Sequence, residues 1–406
     1  MISMTMYLRK PCSVKTREIK MKQKIAFATG SRAEYGIVRR YLSFLNDDSE
    51  VELNILVTGA LLDENYGKQV KLIDDDGFFI AKNDAVPINT SSNAGIIHTM
   101  ACVLDDFGKF FESHVYSLLI ILGDRYEMLS IATAAAMQRI PILHIHGGEA
   151  TYANYDEFIR HSITKMSYFH FTSTEEYKRR VIQLGESPER VFNLGALGAE
   201  NCLYIEEENV PIDVKKLPKK KYFVILFHPE TLTNVNPLFQ VQQILQAVSK
   251  YHKYKYVFIG SNADTHSDII RNAIYEFVKT KNNAYYFENL HTDGFHALLK
   301  NSICLIGNSS SGIIEAPSLG IYTINIGDRQ KGRVRGNSVL DIPCDKDHII
   351  QAIQNVLNLY KYVHPVNPYY KAHTAENYYS MTKNILKKIQ QGITKIPKEF
   401  YDIQSD

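Results

Sequence analysis

Carboxylates and imidazoles gather in one stretch of this chain in a pattern that suits proton transfer. Gly123-Asp124-Arg125-Tyr126-Glu127 follows an apolar run from Ser117 to Leu122, and the next such run ends in His144-Ile145-His146-Gly147-Gly148-Glu149. Asn154-Tyr155-Asp156-Glu157 and Arg160-His161 come shortly after. Asp124 on its own reads equally well as a helix N-cap. With His146, Glu149 and Asp156 beside it, an acid/base cluster is the sharper reading. The residue types would also suit a divalent metal, but no His-x-x-x-His or Glu-x-x-His pair lies on a helix, so no metal site is expected.

A second set of residues suits an anion. Thr29-Gly30-Ser31-Arg32-Ala33-Glu34-Tyr35-Gly36 is a small-residue turn carrying an arginine into a helix. It has neither the lysine of a P-loop nor the three spaced glycines of a dinucleotide fingerprint. Arg32 offers a bidentate fork for phosphate or carboxylate. Further on come His228-Pro229-Glu230-Thr231, then Gly260-Ser261-Asn262-Ala263-Asp264, then Gly307-Asn308-Ser309-Ser310-Ser311-Gly312 with Glu315 behind it. Glycine, hydroxyls and free amides at one point form an anion site without lysine, although a plain serine N-cap is the bland alternative. Gly327-Asp328-Arg329-Gln330-Lys331-Gly332-Arg333-Val334-Arg335-Gly336 adds a cationic loop, whose natural counterpart is a diphosphate.

Parallel sheets must position these groups. From Met21 onward, short β-rich runs alternate with helical stretches: Lys24 to Thr29, Glu52 to Thr58, Ser117 to Leu122, Ile140 to His146, Tyr168 to Ser173 and Val191 to Leu194. The rhythm resumes with Tyr222 to Phe227, Tyr256 to Ile259, Ala284 to Phe287, Ile303 to Ile306 and Tyr322 to Ile326. Strands apolar throughout are buried on both faces, and strand–helix alternation makes doubly wound α/β units. The expected fold is therefore two Rossmann-like domains, residues 21–205 and 222–373. The acid, proline and lysine blocks of 206–221 form a linker between them, and a terminal helix within 374–406 packs back across the interface. Every candidate residue above follows a strand, where open α/β sheets bind ligands.

Composition bounds the rest. Of 406 residues, 45% are hydrophobic and 22% charged, as in soluble globular proteins. Lys plus Arg is 46 against 44 for Asp plus Glu, too balanced for a nucleic-acid-wrapping protein but compatible with a local site for a small anion. Cys12, Cys102, Cys202, Cys304 and Cys344 form no C-x-x-C pair, which speaks against a disulfide scaffold and a zinc site and fits a reducing cytoplasm. No apolar run reaches the ~18 residues of a membrane span. Residues 1–20 have no apolar segment of a secretory signal and are expected to be a disordered extension or a mis-assigned start.

The ordered motifs TGSRAEYG, LGDRYE, HIHGGE with NYDEFIRHSITK, FHPET, GSNADT, GNSSSGIIE and IGDRQKGRVRG closely resemble those of the hydrolysing UDP-N-acetylglucosamine 2-epimerases of sialic acid synthesis. The resemblance spans Met21 to Tyr401. It implies a glycosyltransferase-B-like (GT-B) fold with the active site in the interdomain cleft, no cofactor, and a dimer or tetramer. It also implies conversion of UDP-N-acetylglucosamine (UDP-GlcNAc) and water into N-acetylmannosamine and UDP. By resemblance, Asp124 and Asp156 match catalytic acids, and His228 matches the histidine beside the diphosphate. Arg32, Ser309, Ser310 and Arg329 match phosphate contacts, Glu315 matches the ribose-binding glutamate, and Asn262 lies in the nucleotide loop. Arg125 and the amides through Ser311 and Gly312 complete the expected UDP site.

One position departs from the family. Many relatives read HIEGGE and use the first glutamate in catalysis, whereas this chain has His146 there and keeps Glu149; either group is a candidate for the proton work. The non-hydrolysing branch carries a Gly-Gln-His motif after the second strand and a His-Arg-Arg-Glu-Asn motif in the second domain. Thr58-Gly59-Ala60-Leu61 and His228-Pro229-Glu230-Thr231 stand in those places, which favours hydrolysis. Two alternatives stay open: a hydrolysing epimerase of a diacetamido-trideoxy UDP- or GDP-sugar, and a GT-B glycosyltransferase.

Overall fold

The computed structural model describes residues 22–64, 67–152, 154–230, 235–260, 266–359 and 364–403. The expected extension at 1–20 and Asn262 lie outside them. Seven strands make the first sheet: β1 Gln23–Thr29, β2 Val51–Val57, β3 Ile80–Lys82, β4 Leu118–Leu122, β5 Ile142–Ile145, β6 Phe169–Thr172 and β7 Val191–Asn193, in the order β3-β2-β1-β4-β5-β6-β7. Six make the second: β8 Tyr222–Leu226, β9 Lys255–Ile259, β10 Ala284–Phe287, β11 Cys304–Gly307, β12 Tyr322–Ile326 and β13 Val339–Ile342, in the order β10-β9-β8-β11-β12-β13. All neighbours in both sheets run parallel. The order reverses at β1/β4 and at β8/β11, and such switch points open the crevices in which α/β sheets bind ligands. This is an α/β protein of two Rossmann-like, GT-B-like domains.

Two strands have no counterpart among the sequence expectations, and both are edges. β3 is three residues long, and its Lys82 is buried against Asp84 (2.7 Å) and Asp106, so a charged residue stands where an apolar signal was sought. β13 is partly exposed and carries Asp341, which accepts from Asn325 Nδ2 at 2.7 Å. Central strands satisfy the all-apolar rule because both faces are covered; edges do not. The segment between the sheets is also more than bare chain. Helix Ile212–Lys215 interrupts it, and Val210, Val214 and Leu217 are buried in the second half's core with Tyr222 and Leu298.

The last helix, Thr374–Gln390, lies on the first half although it follows the second. Its Ala375, Tyr378, Ile385 and Leu386 share one core with Phe27, Tyr41 and Ile55. Tyr41 and Thr382 hydroxyls bond at 2.7 Å, and Gln23 Nε2 donates to Leu386 O at 3.3 Å. Burying a side chain such as Leu386 contributes about 1.5–3 kcal/mol. Across the cleft the halves approach closely at Gly36, where an added Cβ would stand 2.2 Å from Thr292 Oγ1. Glycine inside a helix costs about 1 kcal/mol against alanine; here it makes room for the opposite half. Among the described residues no helix is long and apolar enough to cross a membrane.

Candidate active site

β4 is buried along its length and ends at Gly123, whose φ of +78° turns the chain so that Asp124 enters the cleft. The turn is buttressed from below by His144 on β5. Nε2 of that ring lies 2.8 Å from the Gly123 carbonyl, which can only accept, so Nε2 carries the proton and Nδ1 faces Thr164 Oγ1 at 3.1 Å. Burial lowers the His144 pKa to about 3, and the ring stays neutral.

Asp124 is held by Arg160, a guanidinium 1% exposed on helix Asp156–Met166. Arg160 Nε donates to Asp124 Oδ2 at 2.9 Å and Nη2 joins it. The remaining N–H groups reach Glu149 O (2.8 Å), Glu157 Oε2 (2.8 Å) and Thr151 Oγ1 (2.6 Å). Burial alone would raise the Asp124 pKa, but Arg160, Arg333 and Arg329 outweigh it, and the carboxyl sits below its ordinary range. Asp156 opens the same helix, accepting from Asn154 Nδ2 at 3.2 Å and lying 3.9 Å from Arg329 Nη2 of the second half.

β5 ends in a tighter turn. His146 adopts φ +69° and Gly148 φ +80°; a Cβ on Gly148 would stand 2.5 Å from Tyr177 O. The turn places His146 Nδ1 3.5 Å from Glu149 Oε1, while His146 Nε2 is buried and makes no hydrogen bond among the described residues. Burial lowers the imidazole's pKa more than Glu149 raises it, so the ring is neutral. Glu149, 1% exposed, accepts from Ser173 Oγ at 2.7 Å and pairs with Arg333 across the cleft. Burial would push its carboxyl up; Arg333, His146 and Arg160 hold it down.

The other end of the cleft gathers cations and hydroxyls. Ser31 and Glu34 form a capping box, with Glu34 Oε2 accepting from Gly30 N (2.9 Å) and Ser31 N (3.0 Å), and so fix the turn from which Arg32 projects. Arg32 Nη1 is buried without a partner among the described residues, and burial lowers the guanidinium to about 10. From the second half, Asn308 clamps the main chain of His228, accepting from its N at 2.7 Å and donating to its O at 2.9 Å. Burial, then Arg329 and Arg125, hold His228 well below the usual imidazole range. Arg329 Nη1 and Gln330 Nε2 both reach Asn308 O, at 3.1 and 2.8 Å. Glu230 Oε1 accepts from the amides of Asp328 (2.7 Å) and Arg329 (3.1 Å), which locks the cationic loop. Glu315 lies 3.8 Å from His296 Nε2, and its Oε2 is buried without a hydrogen bond among the described residues.

A cleft of about 220 Å³ joins the two ends. Asp124, Arg125, His146, Glu149 and Asp156 line it from one half; His228, Ser309, Ser310, Ser311, Glu315 and Arg329 line it from the other, with Arg32 facing them. Gly312 does not reach the wall. Its N donates to Ser309 O at 3.1 Å, and a Cβ there would meet Thr323 Cγ2 at 2.5 Å, so close packing behind the serines requires a glycine. Arg125 is partly spent on Glu127, at 3.2 Å through both Nε and Nη2.

A family model described as UDP-N-acetylglucosamine 2-epimerase matches residues 44–383. The chain belongs to that epimerase family. It is 48% identical over 388 residues to polysialic acid biosynthesis protein P7 of Escherichia coli, covering 94% of this chain and 98% of the relative. It is 33% identical to the hydrolysing UDP-N,N'-diacetylbacillosamine 2-epimerase of Legionella pneumophila, over 90% of this chain and 97% of that one. Among solved structures, UDP-GlcNAc 2-epimerase of Neisseria meningitidis bound to UDP-GlcNAc superposes with a TM-score of 0.73 at 16% identity, covering 90% of this chain and all of that one. At that identity the likeness establishes the fold.

For this epimerase, the residues missing from the sequence reading are those that hold others. Arg160 was visible only as a cation near two acids, and Arg333 as one of four charges in a loop. Asn308 and Glu230 were visible only as members of their motifs, because their work is hydrogen bonding to the main chain of residues distant in sequence.

Proposed function

We propose that this epimerase is hydrolysing and converts UDP-GlcNAc and water into N-acetylmannosamine and UDP, supplying sialic acid synthesis. The observation that carries the reading is the pairing, in one cleft, of Arg32, whose Nη1 is buried without a hydrogen bond among the described residues, with acid/base groups kept ready at the other end. An uncompensated buried cation awaits an anionic ligand.

The C2–H of the sugar is very weakly acidic, so a base removes it only as the C1–O bond to UDP breaks. The C–H electrons form the C1=C2 bond of 2-acetamidoglucal, and the C1–O electrons leave with UDP. Water then adds at C1 while a proton returns to C2 on the opposite face, giving the manno sugar. Arg32, Arg329, His228 and the serine hydroxyls would hold the diphosphate charge as it grows, as donors already in place when the bond breaks. Glu315 would take the ribose. Asp124, Asp156 and the His146–Glu149 pair would move the protons. The name of the E. coli relative supports a sialic acid role; the name of the L. pneumophila relative supports a second reading, in which the sugar is UDP-N,N'-diacetylbacillosamine.

UDP release from a panel of nucleotide sugars in D2O, with NMR of the products, tests both. UDP-GlcNAc should give free UDP and C2-deuterated N-acetylmannosamine. Higher turnover of the diacetamido sugar would replace the first reading with the second. Epimerised product still attached to UDP, or no release without an acceptor, would overturn hydrolysis.

A further inference from the structure

The turn His146 to Glu149 holds two candidates for one proton, and their surroundings are not equivalent. Both Glu149 oxygens are occupied: Oε1 accepts from Ser173 Oγ and faces His146 Nδ1, and Oε2 pairs with Arg333. His146 lines the cleft, with one nitrogen turned to Glu149 and the other, Nε2, buried without a hydrogen bond among the described residues. A proton on Nδ1 pointing at the carboxylate leaves the Nε2 lone pair to accept another, with Glu149 stabilising the imidazolium that forms. Histidine bases are commonly oriented by an acid in this way. The left-handed φ of +69° at a non-glycine residue shows the turn holding that ring against a backbone preference.

Arg333 reaches this pair from the second half. Its loop is pinned there by bonds that do not involve Glu149: Val334 N donates to Tyr177 OH at 2.8 Å, Tyr369 OH donates to Val334 O at 2.9 Å, and Tyr152 N donates to Lys331 O at 3.4 Å. Tyr152 and Tyr177 belong to the first half, so the loop is docked across the cleft. Resting on the hydrolysing reading, we propose that Arg333 is a positioning residue. It holds Glu149 as the ionised partner of His146, so that the imidazole exchanges the substrate's proton, and it does so only while the two halves are together.

The charged groups facing His146 are Glu149 on its own turn, Asp124 after β4, Arg160 on helix Asp156–Met166 and Arg333. Removing the positive charge of Arg333 raises the proton affinity of the His146–Glu149 pair, whichever member carries the proton. Arg333→Gln should therefore move the acidic limb of the kcat profile upward by about one pH unit. It should lower kcat at neutral pH by about tenfold and leave inhibition by UDP within about threefold, since uniform binding is untouched. Arg333→Lys should restore most of the limb's position. Glu149→Gln should move the limb the other way, and His146→Ala should cost on the order of 10² in kcat.

Weakened UDP inhibition with an unmoved limb would make Arg333 a phosphate ligand and overturn the proposal, as would His146→Ala within threefold of wild type. NMR titration of the His146 ring in wild type and Arg333→Gln reads the link without turnover, and an unshifted ring overturns it. If wild type releases no UDP from any nucleotide sugar, the functional reading fails, and the ring titration still decides whether Arg333 governs the pair.

Discussion

Asp124 and Glu149 on the first-half wall are held by guanidinium groups, Arg160 and Arg333, whereas on the second-half wall the chain itself is held, by Asn308 around His228 and by Glu230 beneath Arg329. One wall fixes the charge of its side chains, and the other fixes the position of its backbone. In the proposed reaction, the difference follows from what each would have to do. A group that moves protons needs a defined protonation state, and paired charges supply that. A surface that binds a leaving group needs donors in place before the charge arrives, and a rigid main chain supplies that. Arg32 and Arg333 are the exchange between them: the first half lends a cation to the anion end, and the second half lends one to the acids.

The largest effect that would test this contrast is Asp124→Asn. Arg160 keeps Glu157, Thr151 and the Glu149 carbonyl as partners, so the fold and UDP binding should survive while turnover falls on the order of 10³-fold. Loss of UDP binding in that variant would erase the division between the walls. Arg329→Ala should instead reduce UDP affinity and turnover together, by roughly 10²-fold in kcat/KM, because in the proposed reaction it would touch the leaving group before and during bond breaking. Equilibrium binding of UDP by calorimetry distinguishes the two outcomes.

A smaller effect concerns pH and the first half alone. Burial lowers His144 to about 3 and His170 to about 4. Both take up protons in the unfolded chain near pH ~6.5 but not in the fold, so the stability they preserve is complete above that value and is lost as pH falls toward 4. The expected slope is about 1.4 kcal/mol per pH unit for each ring, measured by urea unfolding between pH 7 and 4. His170→Gln should flatten it, and an unchanged slope would reject the assignment. Smallest is Ser310→Ala, which removes one hydroxyl from the anion end and should weaken UDP about fivefold; no change would place the diphosphate away from the serine loop.

Much of this was legible in the sequence, for a physical reason. Central parallel strands are buried on both faces, so runs such as Leu118–Leu122 announce themselves, and the residues just past their carboxyl ends are the ones the fold delivers to the cleft. Asp124, His146, Glu149 and His228 could be named that way. The edges β3 and β13 could not, since partial exposure admits Lys82 and Asp341. Nor could the choice between His146 and Glu149 be made, because it depends on Arg333, a residue almost two hundred positions away. Gly312, a glycine beside serines, reads from sequence as part of an anion loop, and the fold adds a packing reason that no local pattern carries, the tight approach to Thr323.

The docking of helix Thr374–Gln390 onto β1 and helix Arg32–Asn46 has a consequence for the order in which the molecule is made. As the chain leaves the ribosome, Phe27, Tyr41 and Ile55 emerge early, but Tyr378, Ile385 and Leu386, which complete their core, emerge last. The second half, by contrast, has every strand of its sheet in hand once Val339–Ile342 has been synthesised. The half that begins first therefore finishes last. Its apolar surface stays open while the whole second sheet is made, and a ribosome stalled before Thr374 would present a complete second sheet opposite a first half that still lacks this layer of its core.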